Sequence, residues 1–242
     1  MKSWSFKEDY LVCQFYLNNV DSWKARLDEL MMLLFEYGFK EREKGSVRMR
    51  IQNYESLHIG KGLSNVAQQS REIYSSITKR LNNPEIYALV KKSLDEGDLG
   101  SLVAEPNDLE SYLVVGDPPG DNFYKVFWNY FMASGLTDPE VYHSCNMGKD
   151  TFWRIANNKN AGISKKVAVQ LCFGLRLSYE DSLKLLGAAG YTLYDGISFD
   201  YIVMCYLKSK IYDVNDVNIT LYENKVPESL YLLPRKRKDS ED

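Results

Sequence analysis

The chain has 242 residues, of which 45% are apolar and 26% charged, and a net charge of −3. That length makes one large domain or two ordinary ones, since domains cluster near ~100–150 residues. The average globular balance excludes a largely disordered chain, a collagen-like repeat and a disulfide-stapled miniprotein.

The small net charge conceals segregation. Residues 1–94 hold 15 Lys and Arg against 11 Asp and Glu, residues 95–121 hold 8 acids and no base, and residues 122–242 hold 15 bases against 14 acids. The acidity therefore lies in one connecting segment between parts that are neutral to mildly basic.

In chain order, nearly every segment shows helical periodicity. Phe6, Tyr10, Cys13 and Leu17 recur at three and four and form one apolar stripe. Asp21-Ser22 offers an N-cap to a second helix with Leu27, Leu30, Met31 and Leu34 inward, stopped at Gly38. A third helix opens at Gly45-Ser46 and buries Val47, Ile51 and Tyr54. After a turn at Gly60-Lys61-Gly62, a helical stretch runs over 65–94 with an interruption near Pro84.

Residues 95–121 predict a linker, because the acid block is combined with Gly97, Gly100, Pro106, Gly116 and the turn cluster Asp117-Pro118-Pro119-Gly120. Helices resume with Phe123, Phe127 and Phe131 spaced by four. Thr137-Asp138-Pro139 is a cap with Pro at the start of a helix. Ser164 caps a helix with Val167, Ala168, Leu171 and Leu175 inward, and Ser178 to Asp181 has capping-box spacing in a helix ending at Gly190. Two more helices cover 199–207 and 214–222, and a charged tail from Pro234 predicts disorder. No run of strand-like alternation appears. The expected fold is all-α, with a helical domain over 1–94, an acidic linker over 95–121, a helical domain over 122–233 and a tail over 234–242.

The chain offers little for catalysis. Its two histidines, His58 and His143, have no second His or Cys at ligand spacing, and the four cysteines at 13, 145, 172 and 205 form neither a zinc pattern nor a disulfide framework. Gly60-Lys61-Gly62 lacks the Gly and the Ser or Thr of a Walker loop, since Glu55 and Gly62 stand in their places. Neither an enzyme nor a cofactor is expected. The first nine residues carry no signal-peptide stretch, and the apolar run over 30–35 is too short to span a bilayer. With free thiols, this predicts a soluble cytoplasmic protein with no membrane partner.

The most informative stretch is 139–190. A helical segment over 139–146, a tight turn at Met147-Gly148 and a helix over 149–158 have helix-turn-helix spacing. Phe152, Ile155 and Ala156 form the inward stripe of the second helix, leaving Lys149, Asp150, Trp153, Arg154 and Asn157 outward. Arg154 has two donors for guanine, and Asn157 or Asn158 suits adenine. Between 145 and 166, five bases (149, 154, 159, 165 and 166) face the single acid Asp150. The candidate contacts here are Lys149, Thr151, Arg154, Asn157, Asn158 and Lys159. In the third helix, Arg48, Arg50, Gln52 and Asn53 are placed away from its buried stripe and form a second candidate set.

Two resemblances follow from these residues. The pattern Val141-Tyr142, Phe152-Trp153-Arg154-Ile155, Ile163-Ser164-Lys165-Lys166 and 185–193 resembles a helical module appended to bacterial macro-domain proteins. That module is itself similar to the lambda-repressor-like helix-turn-helix. The likeness covers about 121–225 and implies fold more than function. Trp4-Ser5, Glu8-Asp9, the segment 47–54, Gly62-Leu63-Ser64-Asn65 and Glu72-Ile73-Tyr74 resemble the Myb/SANT-like module preceding bacterial HNH endonucleases, over residues 4–95. Here no HNH set follows, so the resemblance implies a targeting module without its nuclease.

The leading expectation is a bacterial or phage protein that binds double-stranded DNA, as a regulator or defence-associated factor. The competing one is a non-enzymatic adaptor that docks a protein partner in a phage-defence system. Net acidity and the aromatic cluster Phe123, Phe127, Trp128, Tyr130 and Phe131 favour the second, and the helix-turn-helix spacing favours the first.

Overall fold

In the computed structural model, which describes residues 3–97 and 121–233, the fold is all-α. No strand occurs among the described residues. The chain divides into two compact units, Met1–Pro84 and Glu85–Asp242. The tail over 234–242 and most of the expected linker lie outside the described residues.

The first unit contains α1 (Phe6–Asn18), α2 (Leu27–Glu36), α3 (Lys44–Ile59) and α4 (Gln68–Asn82). Helix α1 is started by a capping box. Ser5 Oγ accepts from the Glu8 amide at 3.2 Å, and the Ser5 amide donates to Glu8 Oε2 at 2.7 Å. It is the central helix, packed against α2, α3 and α4. That is why burial extends beyond the predicted stripe to Glu8, Asp9, Leu11, Val12 and Tyr16, while Leu17 is only half-buried.

The predicted cap at Asp21-Ser22 is not where α2 starts. Residues 19–26 form successive turns, with Trp23 N–H on Asn19 O at 2.8 Å and Ala25 N–H on Ser22 O at 3.0 Å. The cause is Trp23, which is buried and donates its indole N–H to Glu55 at 3.3 Å, so the chain is pinned before it can wind. Helix α3 buries Val47, Ile51 and Tyr54 as predicted, and ends where Gly60 takes the left-handed conformation, φ 69°.

The second unit takes in nearly all of α5 (Pro84–Glu96), which the sequence reading placed in the first domain. Tyr201 donates to the Ser93 carbonyl at 2.5 Å and so ties α5 to α11 (Ser198–Lys208). The remaining helices are α6 (Asp121–Ser134), α7 (Asp138–Ser144), α8 (Lys149–Asn157), α9 (Lys165–Gly174), α10 (Tyr179–Ala188) and α12 (Val214–Glu223). A 3₁₀ turn at Glu228–Leu230 follows.

The caps predicted at Ser164 and Ser178 both form, the second with Ser178 Oγ accepting from the Asp181 amide at 3.1 Å. Phe123, Phe127 and Phe131 are buried, and Phe127 and Phe131 meet Phe152 of α8 with ring centroids 6.2 and 6.0 Å apart. The segment after the 3₁₀ turn is held by Asn218, whose amide donates to the Leu232 carbonyl at 3.3 Å and accepts from the Leu232 amide at 2.7 Å.

Candidate nucleic-acid interface

The α7–turn–α8 element is built from local signals upward. Glu140 Oε2 accepts from the Thr137 amide at 2.8 Å and from its hydroxyl at 2.7 Å, with Pro139 in the first turn of α7. The turn is set by Asn146 at φ 52°, a conformation Asn tolerates better than most residues. Its side-chain amide donates to Asn215 Oδ1 at 2.8 Å. Buried Gln170 of α9 donates to the carbonyls of Cys145 at 2.9 Å and Asn146 at 3.2 Å, satisfying acceptors left over where α7 ends. A Cβ at Gly174 would stand 3.0 Å from the Val141 carbonyl and 3.1 Å from Cys145, so glycine allows α9 to lie close behind α7. The turn is held from behind by side chains far away in sequence.

On α8, Phe152, Ile155 and Ala156 are buried, as predicted. Lys149, Asp150, Trp153, Arg154 and Asn157 are exposed together with Asn158 and Lys159 beyond the helix end, and Thr151 is half-buried. Arg154 donates to the Gly162 carbonyl at 3.1 Å. Asn157 donates to the Trp153 carbonyl at 2.9 Å, and Asn158 Oδ1 accepts from the Asn160 amide at 3.0 Å. Lys159 Nζ lies 6.0 Å from the Tyr124 ring.

One base counted toward the local positive charge is withdrawn from it. Lys165 is 1% exposed and donates to Asp200, itself fully buried, at 2.6 Å. Asp200 also accepts from the Tyr194 amide at 2.9 Å. Burial raises the Asp200 carboxyl above its ordinary value, against the pull of the Lys165 ammonium. The outward charge of this stretch is therefore carried by Lys149, Arg154, Lys159 and half-buried Lys166 against Asp150.

The second candidate set is divided by the structure. Arg48 is exposed and Gln52 half-buried, but Arg50 and Asn53 turn inward, contrary to the sequence placement. Arg50 donates to Asp9 at 3.1 Å and to Ser70 at 2.8 Å, and its guanidinium lies 4.8 Å from the Trp4 ring. Asp9 further accepts from Tyr54 at 2.5 Å and Gln69 at 2.9 Å. Asn53 accepts from the Ala67 amide at 3.0 Å, at the start of α4, and donates to the Met49 carbonyl at 3.0 Å. The reason is that α3 packs on both α1 and α4, so a wider arc than one stripe is covered. Arg42 mirrors Arg50. It binds Glu8 at 2.6 Å and covers the Trp4 ring at 4.4 Å.

All four cysteines are buried, and burial pushes the Cys145 and Cys172 thiols up to about 12. His58 shares a hydrogen bond with the Tyr74 hydroxyl at 3.0 Å. Among the described residues no group of three His, Cys, Asp or Glu is placed to hold a metal ion. No described helix is long and apolar enough to cross a membrane. In comparisons with known proteins, the chain matches no family model, no curated protein and no solved structure.

Proposed function

We propose that this protein is a non-enzymatic DNA-binding factor whose contact surface is the outward face of α8. The observation that carries the reading is the braced α7–α8 element presenting Lys149, Arg154, Asn157, Asn158 and Lys159 to solvent. A rigid first helix and a fixed turn hold the second helix at one angle, which a reader of base edges requires. Lys149 at the positive helix end meets phosphate, and Arg154 or Asn157 supplies directional donors. The role as a regulator or defence-associated factor rests on the module resemblances alone.

Duplex binding measured by fluorescence anisotropy at two salt concentrations tests this. Arg154→Ala is expected to cost about 1–3 kcal/mol and relax sequence preference, while Lys149→Ala weakens all sequences alike and flattens the salt slope by about 0.9. A parent protein that binds no DNA refutes the reading. The adaptor reading then takes its place, favoured by exposed Met32 (61%) and Phe35 (57%) on α2, side chains suited to a protein partner.

A further inference from the structure

The middle of the α8 face is a tryptophan. Lys149, Trp153 and Asn157 stand at i, i+4 and i+8, one above another on the exposed side, spaced about 6 Å apart along the axis. Trp153 is 44% exposed. An indole has a single N–H donor and no acceptor, so most of what it offers a ligand is its ring face. In duplex DNA the faces of the bases are covered by their neighbours and only edges line the groove. A central tryptophan therefore offers more to an unpaired base than to an intact duplex.

The surroundings continue the pattern. Lys149 places a cation at the positive end of α8 on one side of Trp153, and Asn157 on the other side uses one amide hydrogen on the Trp153 carbonyl at 2.9 Å. Beyond the helix end Lys159 Nζ lies 6.0 Å from the centre of the Tyr124 ring. Tyr124 meets Trp128 edge-on at 6.1 Å, and the Trp128 indole donates to the Ala156 carbonyl of α8 at 3.3 Å, which fixes these rings beside the end of the row. Cations set beside aromatic rings are the combination that holds a single strand by phosphate and base at once.

Building on the reading of α8 as the DNA-contacting surface, we propose that its ligand is single-stranded DNA, with an unpaired base stacked on Trp153 and the flanking phosphates met by Lys149 and Lys159. The full-length protein is titrated into a labelled thymidine oligonucleotide of about 20 nucleotides, longer than the ~4–16 nucleotide sites of single-strand binders, and into a duplex of equal length. The single strand is expected to bind about 5–150-fold more tightly, the span that one stacked base supplies. Trp153→Ala removes that margin and Trp153→Tyr keeps most of it, with the thermal midpoint unmoved in both. Intrinsic fluorescence gives a direct readout. The oligonucleotide quenches the parent, and most of the quench is lost in Trp153→Ala although Trp4, Trp23 and Trp128 remain. Equal or tighter duplex binding, lost in Lys149→Ala or Arg154→Ala and untouched in Trp153→Ala, overturns the single-strand assignment while the DNA reading stands. Binding of neither probe overturns both.

Discussion

Replacing Arg50 with alanine is expected to destabilise the first unit rather than to weaken a surface. Its guanidinium is the cation that faces Asp9, and Asp9 is fully buried while the Arg50 side chain is 14% exposed. After Arg50→Ala, Asp9 keeps the Tyr54 and Ser70 hydroxyls and the Gln69 amide but loses the charge that offsets its burial. Breaking a buried pair from one side costs about 3–5 kcal/mol, and the residual exposure of Arg50 places this site toward the lower end. Trp4 also loses one of the two guanidinium groups that cover its ring.

Urea unfolding followed by tryptophan emission measures the loss, with Trp4 and Trp23 as reporters in this unit. The deficit carries a pH signature. Burial already raises the Asp9 carboxyl above its ordinary value, and removing Arg50 raises it further. The variant's native state then binds a proton at a higher pH than its unfolded chain, so its stability relative to the parent recovers as the pH falls through that raised value. Protonated Asp9 no longer needs the cation. A loss below about 0.5 kcal/mol, the range of ordinary surface substitutions, refutes this account of Arg50.

Two further outcomes follow from the buried charges. Lys165→Met leaves buried Asp200 without its counter-ion in the second unit and is expected to destabilise by about 3–5 kcal/mol, whereas the double change Lys165→Met with Asp200→Leu recovers most of it; a double variant as unstable as the single one, in chemical denaturation, sinks this explanation. At Glu8, burial works to raise the carboxyl, but the hydrogen bonds from Arg42 and Ser5 outweigh it and hold Glu8 below the usual glutamate range. Its stabilisation is therefore complete above the unfolded-state pKa and is lost as the pH falls through the lowered native value. Glu8→Gln should be less stable than the parent at neutral pH and converge on it in acid; a constant offset across the acid limb contradicts the assignment.

Sequence alone determined the helices and most of their ends. Periodicity placed the buried faces of α3, α6 and α8, and local chemistry placed the caps at Thr137, Ser164 and Ser178, because these depend on residues three or four positions apart. The α7–turn–α8 element was legible for the same reason. Tertiary structure decided which polar residues face water. Arg50 and Lys165 look like any exposed base on a helix, and nothing near them in sequence reveals Asp9 or Asp200, 41 and 35 residues away. One clue was present. Asp9 stands three residues after Phe6 and four before Cys13, inside the apolar stripe, and an acid at a buried spacing demands a partner from elsewhere. The late start of α2 was likewise set at a distance, by Trp23 reaching Glu55. Hydrophobic spacing fixes an element's face. The partner that satisfies a buried charge is chosen only when distant helices meet, and that meeting left Lys149, Trp153 and Asn157 as the outward row of α8.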